Sequence, residues 1–499
     1  MKQRFAFAWL VFVIPLLPLR AQPPEAAPLR EAWYEIRTDK GKLGWLHVEA
    51  RAVERDGQKL IHTTQREMLS FLRSGDPYTE RQTAYTLETA TGQVVEVGST
   101  STLSKKQDLR LRGKVEGVEL LFRVVGEDEK EAKWTQKLPW DKEAIGLYAQ
   151  ERLFVDKPAK PGEKRTIKSF SLACNRVAET FFTVKGPEKT LLAGEERELL
   201  RVEQTFPKQL YLTPSTVWFD AEGWLVKQQE DSPLFGLVTY TKVTRESAES
   251  KFPATVADIE APVQVVNPLK FSGRGPKEIS VRVSLAGDDE PGTLFVKDHR
   301  QKVLKADDKF VELQLGAVNP PAAGKEAEKE PAAEYLETNY FIRSDDAKVV
   351  ELAKQAVGEE KDARKKALAI RRWVTKNVQG SYETAFATAD EVARNPEGDC
   401  SEMGMLCCAM CRAVGIPSRV VFGLAYDPSN PGFGGHLWTE VFVDGRWETV
   451  DPTGVVHILN AAHIKVADYS MKGILNPDEL TAVRRVFAGR MKVEIMEQK

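Results

Sequence analysis

The sequence has no surplus of charge of either sign. Its 71 Lys and Arg residues face 73 Asp and Glu, a net of −2 with histidine neutral. That balance excludes the broad basic footprint of a nucleic-acid binder. Residues 1–21 hold Lys2, Arg4 and Arg20 and no acid, so without them the net moves to about −5. Long apolar runs are missing beyond the N-terminus, which excludes a spanning helix there. Cysteine is scarce. There are five, and four of them (Cys400, Cys407, Cys408 and Cys411) fall within twelve residues, with Cys174 far away. An odd, clustered set is not a disulfide framework and leaves at least one free thiol to explain. No acidic loop of calcium-binding spacing appears.

What is present begins with Lys2 and Arg4, a mostly apolar run from Phe5 to Leu19, and then Leu19-Arg20-Ala21. This is the layout of a secretory signal peptide over residues 1–21. The run is shorter than the roughly 20 residues that span a bilayer and contains Pro15 and Pro18, which favours a signal over an anchor. No cysteine sits at the cleavage point, so no lipid-modified N-terminus is expected. The expectation is a secreted or periplasmic (cell-envelope) protein with no stable membrane insertion after signal cleavage.

At 499 residues the chain has room for about three domains. Residues 31–245 alternate apolar and polar in short runs, such as Thr83-Ala84-Tyr85-Thr86-Leu87, separated by turns such as Asp56-Gly57. They read as half-buried antiparallel strands forming a β-rich N-terminal domain, a curved antiparallel sheet or a barrel. A short helix is expected between Leu138 and Leu153. The stretches 83–97 and 215–229 share a strand, a Gly-containing polar turn and a second strand, and raise an internal duplication. A β-like intermediate domain follows over 262–316. The Pro-, Ala- and charge-rich segment 318–334 reads as a linker or exposed loop. Helical periodicity starts at Ser344, taken as an N-cap, and runs to Gly358. A second helix covers Asp362 to Val378, with Ala363, Ala367, Ile370, Val374 and Val378 on one stripe and Gly380 closing it. The fold class is thus α+β, with a β-rich region followed by an α+β core over 340–490.

The chemistry concentrates in that core. Cys400 to Val414 has helical period, ended by Gly415 and Pro417. Cys400 therefore falls near a helix N-terminus, where backbone N–H groups and the helix dipole favour a thiolate. Downstream, Asp444-Gly445 is a strong two-residue turn. It pairs Val443 with Arg446, so Trp438 faces Asp451 and His436 faces Thr453. His436 and Asp451 then lie diagonally on one face, within reach of an imidazole–carboxylate bond. A Cys, a His and an Asp so placed are the material of nucleophilic catalysis. Each residue also has a plainer reading. Cys407, Cys408 and Cys411 read as small packing residues, His436 as structural, and Asp451-Pro452 as a turn. A metal site built from the four clustered cysteines stays open, though zinc sites favour loop knuckles. His457 and His463 receive no role.

The stretches Gly398-Asp399-Cys400, Gly415-Ile416-Pro417-Ser418-Arg419, Gly435-His436-Leu437-Trp438 and Trp447-Glu448-Thr449-Val450-Asp451-Pro452-Thr453 resemble the transglutaminase-like superfamily, whose fold is related to papain-like thiol enzymes. The resemblance covers about residues 340–460. It implies Cys400 as nucleophile, His436 as general base and acid, and Asp451 as its orienter. It also implies an upstream aromatic assisting the oxyanion, with Tyr382 the candidate and Trp373 the second choice. The family often has Gly-Val-Cys where this chain has Gly398-Asp399-Cys400. The β-rich 31–245 region is similar to the N-terminal parts of other exported bacterial proteins with this core.

The resulting expectation is an exported thiol enzyme that forms a thioester from an amide or ester, with a peptidase or amidase outcome first. A cross-linking transglutaminase and a non-catalytic envelope binding protein of the same fold are the alternatives. Neither cofactor nor metal is called for, and the substrate would be a protein, peptide or peptidoglycan-type amide, not a nucleic acid. The signal reading has a direct test. Mass spectrometry of the envelope or secreted fraction should find a mature chain starting near Gln22, and an intact Met1 would refute it.

Overall fold

The computed structural model describes residues 27–499 apart from 74, 105–106, 126–131, 254–262, 270–275, 289, 318–327, 384–385, 428–430, 454–460, 474–476 and 489–490. The signal at 1–21, His457 and most of the 318–334 segment lie outside the described residues.

The alternating runs of the N-terminal half assemble into one antiparallel sheet of fourteen strands, from Arg30–Thr38 to Gly236–Val243. It is two meanders laid edge to edge. Eight strands step outward in sequence order from Arg30–Thr38 to Ala132–Pro139, and six more step from Lys164–Ser171 to Gly236–Val243. The seam is the pairing of the first strand with the last, from Trp33↔Val243 to Arg37↔Thr239. Strand twist accumulates across so wide a sheet and curls it. Its two outer regions meet through aromatic rings, with Phe122 to Phe170 at 5.5 Å and Trp140 to Phe170 at 6.1 Å. This is the curved-sheet form of the expected architecture.

The two similar stretches share a backbone turn. Thr89 N–H bonds the Gln93 carbonyl at 2.9 Å, and Asp220 N–H bonds the Trp224 carbonyl at 2.9 Å. Gly92 and Gly223 donate back to Thr89 and Asp220, with φ of +85° and +87°. Both turns press on the crossover that contains the short helix Leu147–Glu151. A Cβ on Gly92 would meet Ala149 Cβ at 2.7 Å, and one on Gly223 would meet the Phe154 carbonyl at 2.5 Å.

The C-terminal half carries two smaller sheets. A five-stranded sheet runs in the order Gln264–Val266, Met491–Gln498, Glu278–Leu285, Val311–Gly316, Gln301–Ala306. The 262–316 region thus completes its sheet with a strand from the far end of the chain. A four-stranded antiparallel sheet runs Arg446–Val450, Gly432–Val443, Ser418–Asp427, His463–Tyr469. The two sheets share one apolar core containing Val281, Leu313 and Val493 on one side and Leu424, Tyr426 and Ile464 on the other. Of the 318–334 segment, the described end is tied down, because Glu328 N–H bonds the Gly445 carbonyl at 2.8 Å.

Four helices, Ala347–Val357, Ala363–Asn377, Ala389–Arg394 and Cys400–Ala413, form a helical layer, and a further helix, Pro477–Ala488, precedes the last strand. The first is capped by Asp346 and not by Ser344, because the Asp346 carboxylate accepts from Lys348 N–H at 2.9 Å while the Ser344 N–H turns back to Ile342. Asp362 caps the second as expected. That helix is not closed by Gly380. Val378 is already extended, and Gln379–Gly380 pairs in parallel with Glu397–Gly398. The Cys400 helix is buried on all sides from Ser401 to Arg412, including Cys407, Cys408 and Cys411. One hydrophobic core joins these helices to the large sheet, running from Leu109, Leu111 and Phe122 to Leu352, Ile370 and Leu406. A reciprocal pair stitches the joint: Gln107 Nε2–H donates to Thr388 Oγ1 at 2.8 Å, and Thr388 N–H donates to Gln107 Oε1 at 3.0 Å.

Ile370 is fully buried between the helices. Ile370→Ala removes apolar contacts and leaves a cavity, so it should cost about 2–5 kcal/mol in denaturant unfolding. A loss below about 1 kcal/mol would mean that this interface is not a packed core.

Candidate active site

The start of the Cys400 helix is fixed by its cap. The Asp399 carboxylate accepts from Ser401 N–H at 2.8 Å and from Ser401 Oγ–H at 2.7 Å, and Glu402 reaches back to Asp399 N–H at 3.0 Å. This is a capping box, and it makes Cys400 the first helical residue. One turn later Gly404 brings the helix onto the strand Gly432–Val443. A Cβ there would meet Leu437 Cδ2 at 2.5 Å, and the Gly404 carbonyl accepts from Thr439 Oγ1–H at 2.7 Å. Residues four apart share a helix face, so Cys400 looks at the same strand. Its thiol is hydrogen-bonded to the His436 imidazole and to the Leu437 backbone N–H.

The hairpin holds the register expected of its turn. Asp444 and Gly445 have φ of +51° and +75° and join Val443↔Arg446, and the ladder continues to Thr439↔Val450. The chain then leaves the ladder at Asp451, whose Oδ2 lies 2.9 Å from His436 Nε2. This leaves Nδ1 of the ring for the thiol. Asp451 Oδ1 accepts from Thr453 N–H at 2.9 Å and Thr453 Oγ1–H at 2.8 Å. The second helix clamps the backbone here: Arg371 Nε–H donates to the Asp451 carbonyl at 2.7 Å and Thr375 Oγ1–H to the Pro452 carbonyl at 2.6 Å. Cys400, His436 and Asp451 are therefore brought together in one hydrogen-bonded line.

A fourth residue joins them that sequence reasoning passed over. His463 Nε2 lies 3.4 Å from the same Asp451 Oδ2, and the ring is buried. It opens the strand His463–Tyr469, and residues 454–460, outside the described set, separate it from Asp451. No fixed spacing announces it. The one signal in the sequence is a His at the head of the strand-like run Ile464-Lys465-Val466-Ala467. Trp438 stacks near His436 at 5.9 Å and meets His463 edge-on at 5.2 Å, walling the pair off from water.

Charge follows from this packing. Burial opposes ionisation of Asp451, but the two imidazoles override it and hold its carboxyl well below the usual range. Burial alone would push the His436 imidazole down, yet Asp451 and then Cys400 raise it to about 10. Burial pushes His463 down, so it is a neutral donor. The Cys400 thiol is pushed up by burial and then by the Asp399 carboxylate, with the His436 and Leu437 hydrogen bonds pulling the other way. The departure from Gly-Val-Cys thus places an anion beside the thiol. Together His436, Asp451 and His463 bring ligand atoms within 4.8 Å of one another, a set that a divalent cation could use. The buried Cys407, Cys408 and Cys411 belong to the helix core instead.

Tyr382 lies where the chain continues the short pairing beside Gly398, since Ser381 N–H bonds the Gly398 carbonyl at 3.0 Å; its ring is exposed. Trp373 is half-buried on the second helix against the main core.

Residues 350–452, about a fifth of the chain, match the model of the transglutaminase-like superfamily. The match takes in Cys400, His436 and Asp451 and stops short of His463. No curated protein matches the chain. Among solved structures, a proposed cysteine protease from Cytophaga hutchinsonii is 18% identical, with 39% of this chain and 79% of that one covered and a TM-score of 0.29. A β-barrel-like protein with a domain of unknown function from Brucella abortus is 13% identical, covering 43% and 95%, with a TM-score of 0.31. A proposed protease from Parabacteroides distasonis is 13% identical, covering 73% and 68%, with a TM-score of 0.19.

The position of Asp399 yields a prediction with a sign. An anion beside a thiol raises its pKa, so Asp399→Asn should lower it while keeping an equally good helix cap. The midpoint of iodoacetamide alkylation of Cys400 against pH should move to lower pH, with the melting temperature nearly unchanged. A midpoint that stays or rises would remove Asp399 from the electrostatics of the thiol.

Proposed function

We propose that the protein is an exported thiol hydrolase that cleaves an amide or ester bond, a peptidase or amidase in outcome, through a thioester on Cys400. The observation that carries this reading is the hydrogen-bonded line from the Cys400 thiol through His436 to the buried Asp451 carboxylate. In the proposed cycle the Cys400 sulfur attacks the carbonyl carbon and His436 carries the thiol proton. The C–S bond forms and the carbonyl oxygen takes the negative charge, facing backbone N–H groups at the start of the Cys400 helix. His436 passes its proton to the leaving amine or alcohol, whose bond to carbon breaks and leaves the thioester. Water then adds with His436 as base, the acid departs and the thiol is restored. Asp451 orients the ring and stabilises its charged form. Tyr382, by family resemblance, is the proposed aromatic aid to the oxyanion.

Hydrolysis is preferred over transamidation because water needs no second binding site, whereas an acceptor amine must be held while water is excluded. A second reading is a cation site at His436, Asp451 and His463. It would put an ion between His436 Nε2 and the Asp451 carboxylate in place of their hydrogen bond, so dependence on metal separates the two readings.

Substrate profiling against peptide and peptidoglycan libraries supplies the assay. Cys400→Ala should abolish turnover, and Asp451→Asn should lower it by up to about 10⁴-fold, as in serine-protease triads. Adding His436→Ala to Cys400→Ala should change little, because the residues act as a unit. Chelators should leave turnover intact. Near-normal turnover in Cys400→Ala would remove the mechanism, and loss on chelation with recovery on zinc addition would favour the cation site.

A further inference from the structure

The large sheet encloses a second feature that shares no residue with the Cys400 site. A cavity of 270 Å³ lies against its inner face. The strand register explains its lining. Gln82 pairs with Glu67, Glu67 with Leu46, and Leu46 with Tyr34, so these four side chains share one face in a row across four strands. Gln228 and Tyr240, paired on the other meander, line it from across the seam beside Tyr34.

The two ends of the cavity differ in charge. At one end the polar groups satisfy each other. Arg30 pairs with Glu151 at 3.4 Å and donates to the Tyr34 hydroxyl at 3.3 Å, and that hydroxyl donates to the Leu225 carbonyl at 2.9 Å. At the other end Glu67 has no hydrogen-bond or ion-pair partner among the described residues. Burial first, then Glu80 and Glu230, all push its carboxyl up, to about 7. Tyr240 feels the same two acids, Glu67 and Glu230, on top of its own burial. Among the described residues Glu230 accepts a hydrogen bond from the Gln228 amide alone, at 3.3 Å. A desolvated carboxyl that faces a cavity and lacks a counter-ion is poorly placed for stability. It is well placed to receive a cation.

We propose that this cavity binds a small aliphatic amine through its ammonium group. Glu67 on the lining supplies the negative charge, Glu230 adds to it from beside the lining residue Gln228, and Tyr34 and Tyr240 line the same cavity with rings of the kind that attract a cation. Leu46 and Leu225 provide apolar surface for a methylene stem. At roughly 30 Å³ per water-sized group, the volume has room for up to about nine heavy atoms, enough to take in a five-carbon diamine.

Isothermal titration of the full-length protein with 1,5-diaminopentane tests this, with 1,5-pentanediol as a neutral probe of the same shape. The diamine should bind saturably at pH 8 and the diol should not. Binding needs ionised Glu67, so affinity should fall about tenfold from pH 8 to pH 6. Glu67→Gln should weaken binding at least about tenfold without lowering the melting temperature, since it removes a buried like-charge contact. Glu230→Gln, measured alongside, should weaken it in the same direction, and Cys400→Ala should leave it unchanged. Equal binding of diol and diamine, undiminished binding in Glu67→Gln, or loss of binding in Cys400→Ala would each overturn the proposal.

Discussion

The site depends on one buried charge. Asp451 is fully buried, and an isolated carboxylate there would be strongly disfavoured by desolvation. It is tolerated because donors surround it: His436 and His463 on one oxygen, Thr453 on the other. The surrounding fold serves that arrangement. The Asp444-Gly445 turn sets the register that aims His436. The second helix pins the backbone on either side of the Asp451-Pro452 bond. Removing one donor would leave a buried charge partly uncompensated, a loss of about 3–5 kcal/mol in comparable pairs. Stability and chemistry are therefore coupled at this residue.

The same carboxylate explains why two histidines so close in space differ in proton affinity. His436 has the thiol on its far side and gains from both neighbours, so it is raised. His463 has the His436 and Arg300 charges working against it as well as burial, so it is lowered. One ring carries a proton and can exchange it with sulfur, while the other only donates to Asp451 and helps hold it ionised.

Local rules made much of this legible in the sequence. Period-two alternation gave the strands of the large sheet, and helical period with Gly415 and Pro417 gave the Cys400 helix. The two-residue turn gave the register as far as Thr439↔Val450, but the expected pairs Trp438–Asp451 and His436–Thr453 are not in the ladder, because the chain leaves it at Asp451 and brings that carboxylate to His436 directly. What escaped was set by contacts distant in sequence. His463 reaches Asp451 through sheet pairing and not through spacing. Gln107 and Thr388 find each other across 281 residues. In the sequence Asp399 shows only as a departure from Gly-Val-Cys, and its position as the helix cap shows that it places a carboxylate beside sulfur. The Ser344 cap failed because three polar residues in succession compete for one role, and the backbone bend at Ile342 decided among them.

The strand Met491–Gln498 lies inside the five-stranded sheet, between Gln264–Val266 and Glu278–Leu285. Strand 278–285 leaves the ribosome some two hundred residues before the partner that covers one of its edges. Until that partner arrives, the edge is an open template for pairing with other chains. The five-stranded sheet therefore cannot close until residues 491–498 have been made, and until then the C-terminal half lacks one of the inner strands that hold it together.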